Sequence, residues 1–253
     1  MIPEIYIQLY SLRNELEKEY SGIIKELANT GYCGVEPAGF RNCPAPEAAL
    51  LFSDLGLKAE TMHSPLPVGD DRNKILEEAL AVGAKYLFTG VSPGREKDFE
   101  SLDAIKRSAE TYNEVGAVMK HSGISFGFHS HWWEMKLIDG VPAYQIFLEH
   151  TEPDILWEID TYWVKVGGQD PVKVTREAGE RAPVIHIKDG PCTMDDPMVA
   201  VGSGKMEIEA IFQSNPHIKI AVVELDRCAT DMLDAVKDSY QFLVSKNFAK
   251  GKK

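Results

Sequence analysis

Four short apolar runs in this 253-residue chain end in side chains that can hold a metal or move a proton: FGFHSH (126–131), LWEID (156–160), PVIHIKD (183–189) and AVVELD (221–226). Side chains alternate with a period of two along a strand. His129 and His131 therefore share one face of their run, as do Glu158 and Asp160, His186 and Lys188, and Glu224 and Asp226. Earlier apolar runs add Gln8, Tyr10, Glu36 and His63 in the same phase. Ionisable groups are costly to bury unless they are paired or ligated. Two oxygen donors, Asp160 and Glu224, with the imidazole of His186 and one further donor would suit one divalent cation. The donor mix leans toward Mn²⁺, with Co²⁺, Mg²⁺ and Zn²⁺ as alternatives.

Each residue also has a plainer reading. His186 alone could be a satisfied core histidine, and Asp160 could cap the turn that follows it. Glu36 precedes Pro37 and could bond to its own loop, and His63 has a structural reading of equal weight. Trp132, Trp133, Tyr162 and Trp163 adjoin the polar groups, and aromatic faces of this kind stack on sugar C–H faces or simply pack. GSGK (202–205) could cradle a phosphate through backbone N–H groups, but it lacks the Walker spacing and reads first as a tight loop.

The elements that would position these groups alternate from end to end. Strand-like runs at 5–10, 33–38, 57–63, 85–90, 124–131, 155–161, 183–189 and 218–225 are followed by helix-like stretches at 15–29, 46–55, 72–82, 99–121, 143–150, 171–179, 208–214 and 230–245. Eight strand–helix units without a linker predict an α/β chain, a single-domain (β/α)8 TIM barrel over 1–253, in which all the strand C-termini share one face. An open doubly wound sheet is the alternative, but no GxGxxG follows the first strand.

The formal charge of −12 argues against a nucleic-acid partner, and the basic tail Lys250, Lys252, Lys253 reads as a frayed end. Four cysteines without a CxxC pair imply reduced thiols. No apolar stretch approaches a membrane span and the first residues lack a signal-peptide pattern, so a cytoplasmic protein with no membrane partner is expected.

Seven motifs carry a family resemblance: QLYSLR (8–13), GVEPAG (34–39), FHSHWWE (128–134), EIDTYWVKVGGQDP (158–171), HIKDG (186–190), VGSGK (201–205) and VVELD (222–226). Together they resemble the xylose isomerase-like TIM barrels, the sugar phosphate isomerase/epimerase superfamily. The resemblance implies a divalent metal at the C-terminal face, held by Asp160, His186, Glu224 and a residue of the fifth strand. There the family often has Leu-Glu-Asn-His and this chain has Phe128-His129-Ser130-His131, so His129 takes the glutamate position, as in the inosose dehydratase-like subgroup with His-x-His.

The implied activity is a sugar isomerase or epimerase that abstracts a proton next to a carbonyl and passes through an enediolate. Glu134 or Glu158 would be the base, and Lys188 would polarise an oxygen or return a proton, with a pKa depressed toward that use. Gln8, Glu36, His63, His131 and Trp163 are the expected contacts to a small carbohydrate. A dehydratase or lyase using the same metal site is one alternative, and a catalytically silent sugar-binding barrel is another. A homo-oligomer is a family-based expectation.

Overall fold

The computed structural model describes residues 2–40 and 42–252. Eight parallel strands form the wall: β1 (Glu4–Gln8), β2 (Gly34–Glu36), β3 (Thr61–Ser64), β4 (Tyr86–Thr89), β5 (Ser125–His129), β6 (Leu156–Asp160), β7 (Val184–Ile187) and β8 (Ile220–Val223). Their order is β2-β1-β8-β7-β6-β5-β4-β3. The seam between β2 and β3 closes through backbone bonds from Val35 N to Lys58 O (2.8 Å), Lys58 N to Cys33 O (3.0 Å) and His63 N to Pro37 O (2.8 Å). A closed (β/α)8 barrel therefore replaces the open-sheet alternative.

Ten α-helices accompany the strands among the described residues. The amphipathic stretch expected over 15–29 is two helices, α1 (Arg13–Lys18) and α2 (Tyr20–Thr30). They break at Glu19, whose extended backbone lets its carboxylate accept from Gly22 N and cap α2. Helices α3 (Ala45–Asp54), α4 (Asp71–Val82), α5 (Leu102–His121) and α6 (Ala143–His150) follow. One helix was not expected: α7 (Thr161–Val166) starts directly on the end of β6. Helices α8 (Pro171–Ala178), α9 (Ile208–Ser214) and α10 (Met232–Ser245) complete the set.

The barrel interior is layered. Tyr6, Phe88, Val184, Ile220 and Val222 form an apolar plug. Inward-facing glycines make room for its rings: a Cβ on Gly127 would lie 2.3 Å from Leu156 O and 2.9 Å from the Phe88 ring. Two residues beyond Tyr6, Gly127, Val184 and Val222 the polar layer begins, at Gln8, His129, His186 and Glu224, so the plug lies beneath it. The half-buried Arg181 ties the end of α6 to the start of β6, donating to the carbonyls of Leu148 and Glu152, the hydroxyl of Thr151 and, twice, the carbonyl of Ile155.

The tail does not fray. Lys250 N donates to Pro3 O and Lys252 N to Gly31 O, both at 2.8 Å, and Lys252 Nζ reaches Leu55 O at 2.6 Å. Lys253 lies outside the described residues. All four cysteines are free thiols. No helix among the described residues is long and apolar enough to cross a membrane.

Candidate metal centre

Strand register builds the site. β5 pairs with β6 so that His129 stands opposite Glu158, and β6 pairs with β7 so that Asp160 stands opposite His186. Period-two alternation then stacks two tiers: Glu36, Glu158 and His186 below, Asp160, Lys188 and Asp226 above, with His129 and Glu224 joining them. Glu36, Glu158, Asp160 and His186 are fully shielded from solvent.

His186 bridges the tiers. Its Nδ1 is 2.8 Å from Glu224 Oε2 and its Nε2 is 2.7 Å from Glu36 Oε1 and 3.3 Å from Glu158 Oε2. His129 does the same, with Nδ1 3.0 Å from Glu158 Oε2 and Nε2 3.7 Å from Asp160 Oδ2. His63 Nε2 contacts Glu158 Oε2 directly. Glu36 is held in turn by Gln8 Nε2 at 2.7 Å and by the hydroxyl of Thr61.

Asp160 performs both of its sequence readings. Its Oδ1 accepts from Trp163 N at 2.9 Å and caps α7, while its Oδ2 faces the site. Lys188 Nζ lies among Asp226 Oδ2 (2.6 Å), Glu224 Oε2 (2.7 Å) and Asp160 Oδ2 (2.8 Å). The contact to Asp160 is a charge contact off hydrogen-bond geometry, and that buried oxygen makes no hydrogen bond.

The charges follow from these distances. Burial opposes the Lys188 ammonium, but Asp160, Asp226 and Glu224 outweigh it and hold the pKa well above the ordinary value. This reverses the expected depression. Burial likewise opposes charge on His186, and Glu158, Glu36 and Glu224 overcome it and raise the pKa well above the usual range. His129 goes the other way. Burial and the neighbouring His186 charge hold it well below that range, so it carries a neutral imidazole with a lone pair. Glu224 would be raised by burial, but Lys188 and His186 bring it well below the usual carboxylate range.

The donor set fits a divalent cation. One ligand atom from each of His129, Asp160, His186 and Glu224 lies within 4.8 Å of all the others, and so does one from each of His63, His129, Glu158 and His186. The first set has two imidazoles and two carboxylates, with the unbonded Asp160 Oδ2 among its oxygens. Mixed nitrogen and oxygen donors of this kind suit Mn²⁺, Co²⁺ or Zn²⁺.

The site opens into a cavity of about 520 Å³, lined among others by Tyr10, His63, His129, His131, Trp132, Trp163 and Lys188. Of the five expected substrate contacts, His63, His131 and Trp163 line this cavity. Gln8 and Glu36 lie beneath the floor and are 0% exposed; Gln8 donates to Glu36, and Glu36 faces His186. Glu158 is equally buried and faces His129 and His63. Glu134 turns away from the cavity: its Oε2 accepts from the backbone N of His131 at 2.8 Å, and its Oε1 lies 3.9 Å from His131 Nδ1. The His131 ring is stacked on Trp133, with centroids 4.1 Å apart.

Two further residues reach the cavity. Asp226 falls in phase with Glu224, a signal present in the run AVVELD; Arg95 opens a short 3-10 helix after β4 with φ of 54° and carries no periodic signal. The GSGK loop closes on a carboxylate of the chain itself: Asp189 accepts from the backbone N–H groups of Gly190, Gly202, Gly204 and Met206 at 2.8 to 3.0 Å.

No family model and no curated protein matches the chain. Solved structures do. Two sugar phosphate isomerase/epimerase structures from Parabacteroides distasonis share 26% and 25% identity with it, at TM-scores of 0.82 and 0.81. The first covers 98% of this chain and 100% of its own, the second 99% and 96%. The zinc-bound IolI protein aligns at a TM-score of 0.74 with 15% identity, over 98% of this chain and 100% of its own, a likeness of fold. From its first strand to its last, the chain is a (β/α)8 TIM barrel, similar along almost its whole length to these two sugar phosphate isomerase/epimerase structures.

Proposed function

We propose that the chain is a divalent-metal-dependent sugar isomerase or epimerase that acts in the cytoplasm on a small carbohydrate. The observation that carries this reading is the four-donor set His129, Asp160, His186 and Glu224 at the floor of an aromatic-walled cavity. Full-length similarity to sugar phosphate isomerase/epimerase structures and the zinc named for IolI support it. When bound, the ion supplies Lewis-acid polarisation of a carbonyl, which acidifies the adjacent C–H.

The chain's own groups do the rest. Tyr10, Trp132 and Trp163 offer faces to the sugar ring and exclude water. Lys188, kept protonated by three carboxylates, faces the substrate oxygens as a hydrogen-bond donor. Glu134 is set behind His131, and Glu158 behind His129 and His63, so neither carboxylate lines the cavity itself. The proton is therefore taken by the His131 imidazole, which lines the cavity and whose Nδ1 makes no hydrogen bond, while Glu134 fixes its backbone.

A screen of keto-sugars and inososes in D₂O by NMR, with Mn²⁺ or Co²⁺ added, tests this reading. Deuterium exchange next to the carbonyl with an epimerised or isomerised product is expected, and its loss in His131→Asn. The strand-five His-x-His, which resembles the inosose dehydratase-like subgroup, favours a second outcome, an unsaturated carbonyl chromophore from elimination. Neither product, with no divalent ion retained by protein purified without chelator, would make the barrel a silent sugar binder.

A further inference from the structure

Each imidazole of the four-donor set has a second nitrogen, and each second nitrogen faces a fully buried glutamate. His186 Nε2 is 2.7 Å from Glu36 Oε1, and His129 Nδ1 is 3.0 Å from Glu158 Oε2. A neutral imidazole has one N–H and one lone pair, and a carboxylate acceptor beside one nitrogen keeps the proton there. The other nitrogen then holds the lone pair and becomes more basic.

We propose that Glu36 and Glu158 are positioning residues that set the tautomers of the two ligand histidines. Glu36 holds His186 as Nε2–H with Nδ1 free, and Glu158 holds His129 as Nδ1–H with Nε2 free. Both free nitrogens point toward Asp160 and Glu224, where a divalent cation would sit. The inference rests on the metal-dependent reading of the site and goes beyond its ligand list.

Each glutamate has its own support. Glu36 accepts from Gln8 and Thr61 as well as facing His186, so its carboxyl plane is fixed from three sides. Glu158 shares Oε2 between His129 and His63 and stands directly across the strand pair from His129. This accounts for the departure on β5. Where the resembling family places a glutamate on the metal, this chain places an imidazole and sets the carboxylate one ring behind it. Some of the anionic character is passed on through His129.

The same rings could turn their opposite nitrogens to an ion among His63, His129, Glu158 and His186, the second donor set. That would pull both histidines off their glutamates and draw on one carboxylate instead of two. The two positions require opposite tautomers, so a tautomer measurement separates them.

The test uses the full chain with ¹⁵N-labelled histidine, loaded with Zn²⁺, and long-range ¹H–¹⁵N correlation. His129 coordinated through Nε2 with Nδ1–H, and His186 coordinated through Nδ1 with Nε2–H, is the expected result. Opposite tautomers would overturn the proposal and put the ion in the second set. Co²⁺ titration followed by its visible absorbance gives an independent reading. Glu36→Ala and Glu158→Ala should weaken binding by about 10- to 100-fold, and Glu158→Gln, which keeps an acceptor, should recover part of the loss.

Variants with intact circular dichroism that bind within about twofold of wild type would overturn the proposal alone. A wild-type chain that takes up no Co²⁺ or Zn²⁺ would overturn the metal-dependent reading along with it. Should the alanine variants not fold, the wild-type tautomers still decide.

Discussion

Lys188 Nζ lies 2.7 Å from Glu224 Oε2, the same oxygen that accepts from His186 Nδ1 at 2.8 Å. One carboxylate oxygen therefore serves an ammonium and an imidazole together, and a cation joining them must share it. Lys188→Met removes the counter-charge of Asp160, Glu224 and Asp226 at once. Leaving buried charge uncompensated costs roughly 3–5 kcal/mol. Urea denaturation in the presence of chelator should show a loss of that order, and Zn²⁺ should restore part of it. Equal curves for variant and wild type in chelator would show that the ammonium is not the counter-charge.

Metal-free stability should fall on the alkaline side. His63 and His186 both have pKa values raised in the folded chain, because Glu36, Glu158 and, for His186, Glu224 overcome burial. A raised folded value means that the unfolded chain loses these protons first. The contribution is complete below the unfolded value of about 6.5 and disappears as pH rises through the folded values. Thermal midpoints in chelator should therefore decrease from about pH 6.5 upward. Zn²⁺ affinity should rise over the same interval, because His186 must release a proton to bind. A flat or rising midpoint would contradict the assignment of protonated rings.

Gly127 packs directly against the plug and the neighbouring strand. A methyl group there would meet the Leu156 carbonyl and the Phe88 ring, neither of which is the free end of a flexible chain. Gly127→Ala should destabilise by about 1–3 kcal/mol through overpacking. It should also weaken metal binding, because His129 lies two residues along the same strand. Measuring both quantities separates simple destabilisation from a displaced ligand.

Arg181→Lys should cost about 2 kcal/mol, or roughly 4–8 °C in Tm, although the charge is kept. The guanidinium serves four acceptor atoms on the α6–β6 connection, and a single ammonium cannot reproduce that fork. Differential scanning calorimetry checks the shift; a change below about 1 °C would mean that the carbonyls find other donors.

The polar strand ends were legible in the sequence because alternation marks them directly. His129, Asp160, His186 and Glu224 fall in phase, and the structure brings all four together. Depth was not legible. Glu158 and Asp160 share a face and look equivalent along the chain. Only the pairing of His129 with Glu158 and of Asp160 with His186 shows that one lies beneath the floor and the other beside the cavity. Glu36 was read as a loop or substrate residue for the same reason, since its partner His186 is 150 residues away. Helix α7 was hidden because Thr161–Val166 continues the apolar, β-branched character of β6; the capping bond from Asp160 makes the turn. Arg95 reaches the cavity through a left-handed backbone turn that no periodicity announces.

Asp189 gives the loop after β7 an occupant. The loops after the seventh and eighth strands of such barrels often hold phosphate with their backbone amides. In this chain the amides of Gly202, Gly204 and Met206 are already committed to an internal carboxylate. Asp189 thus acts as a tethered surrogate for the anion, permanently docked in the berth. A phosphate ester would find these amides already taken.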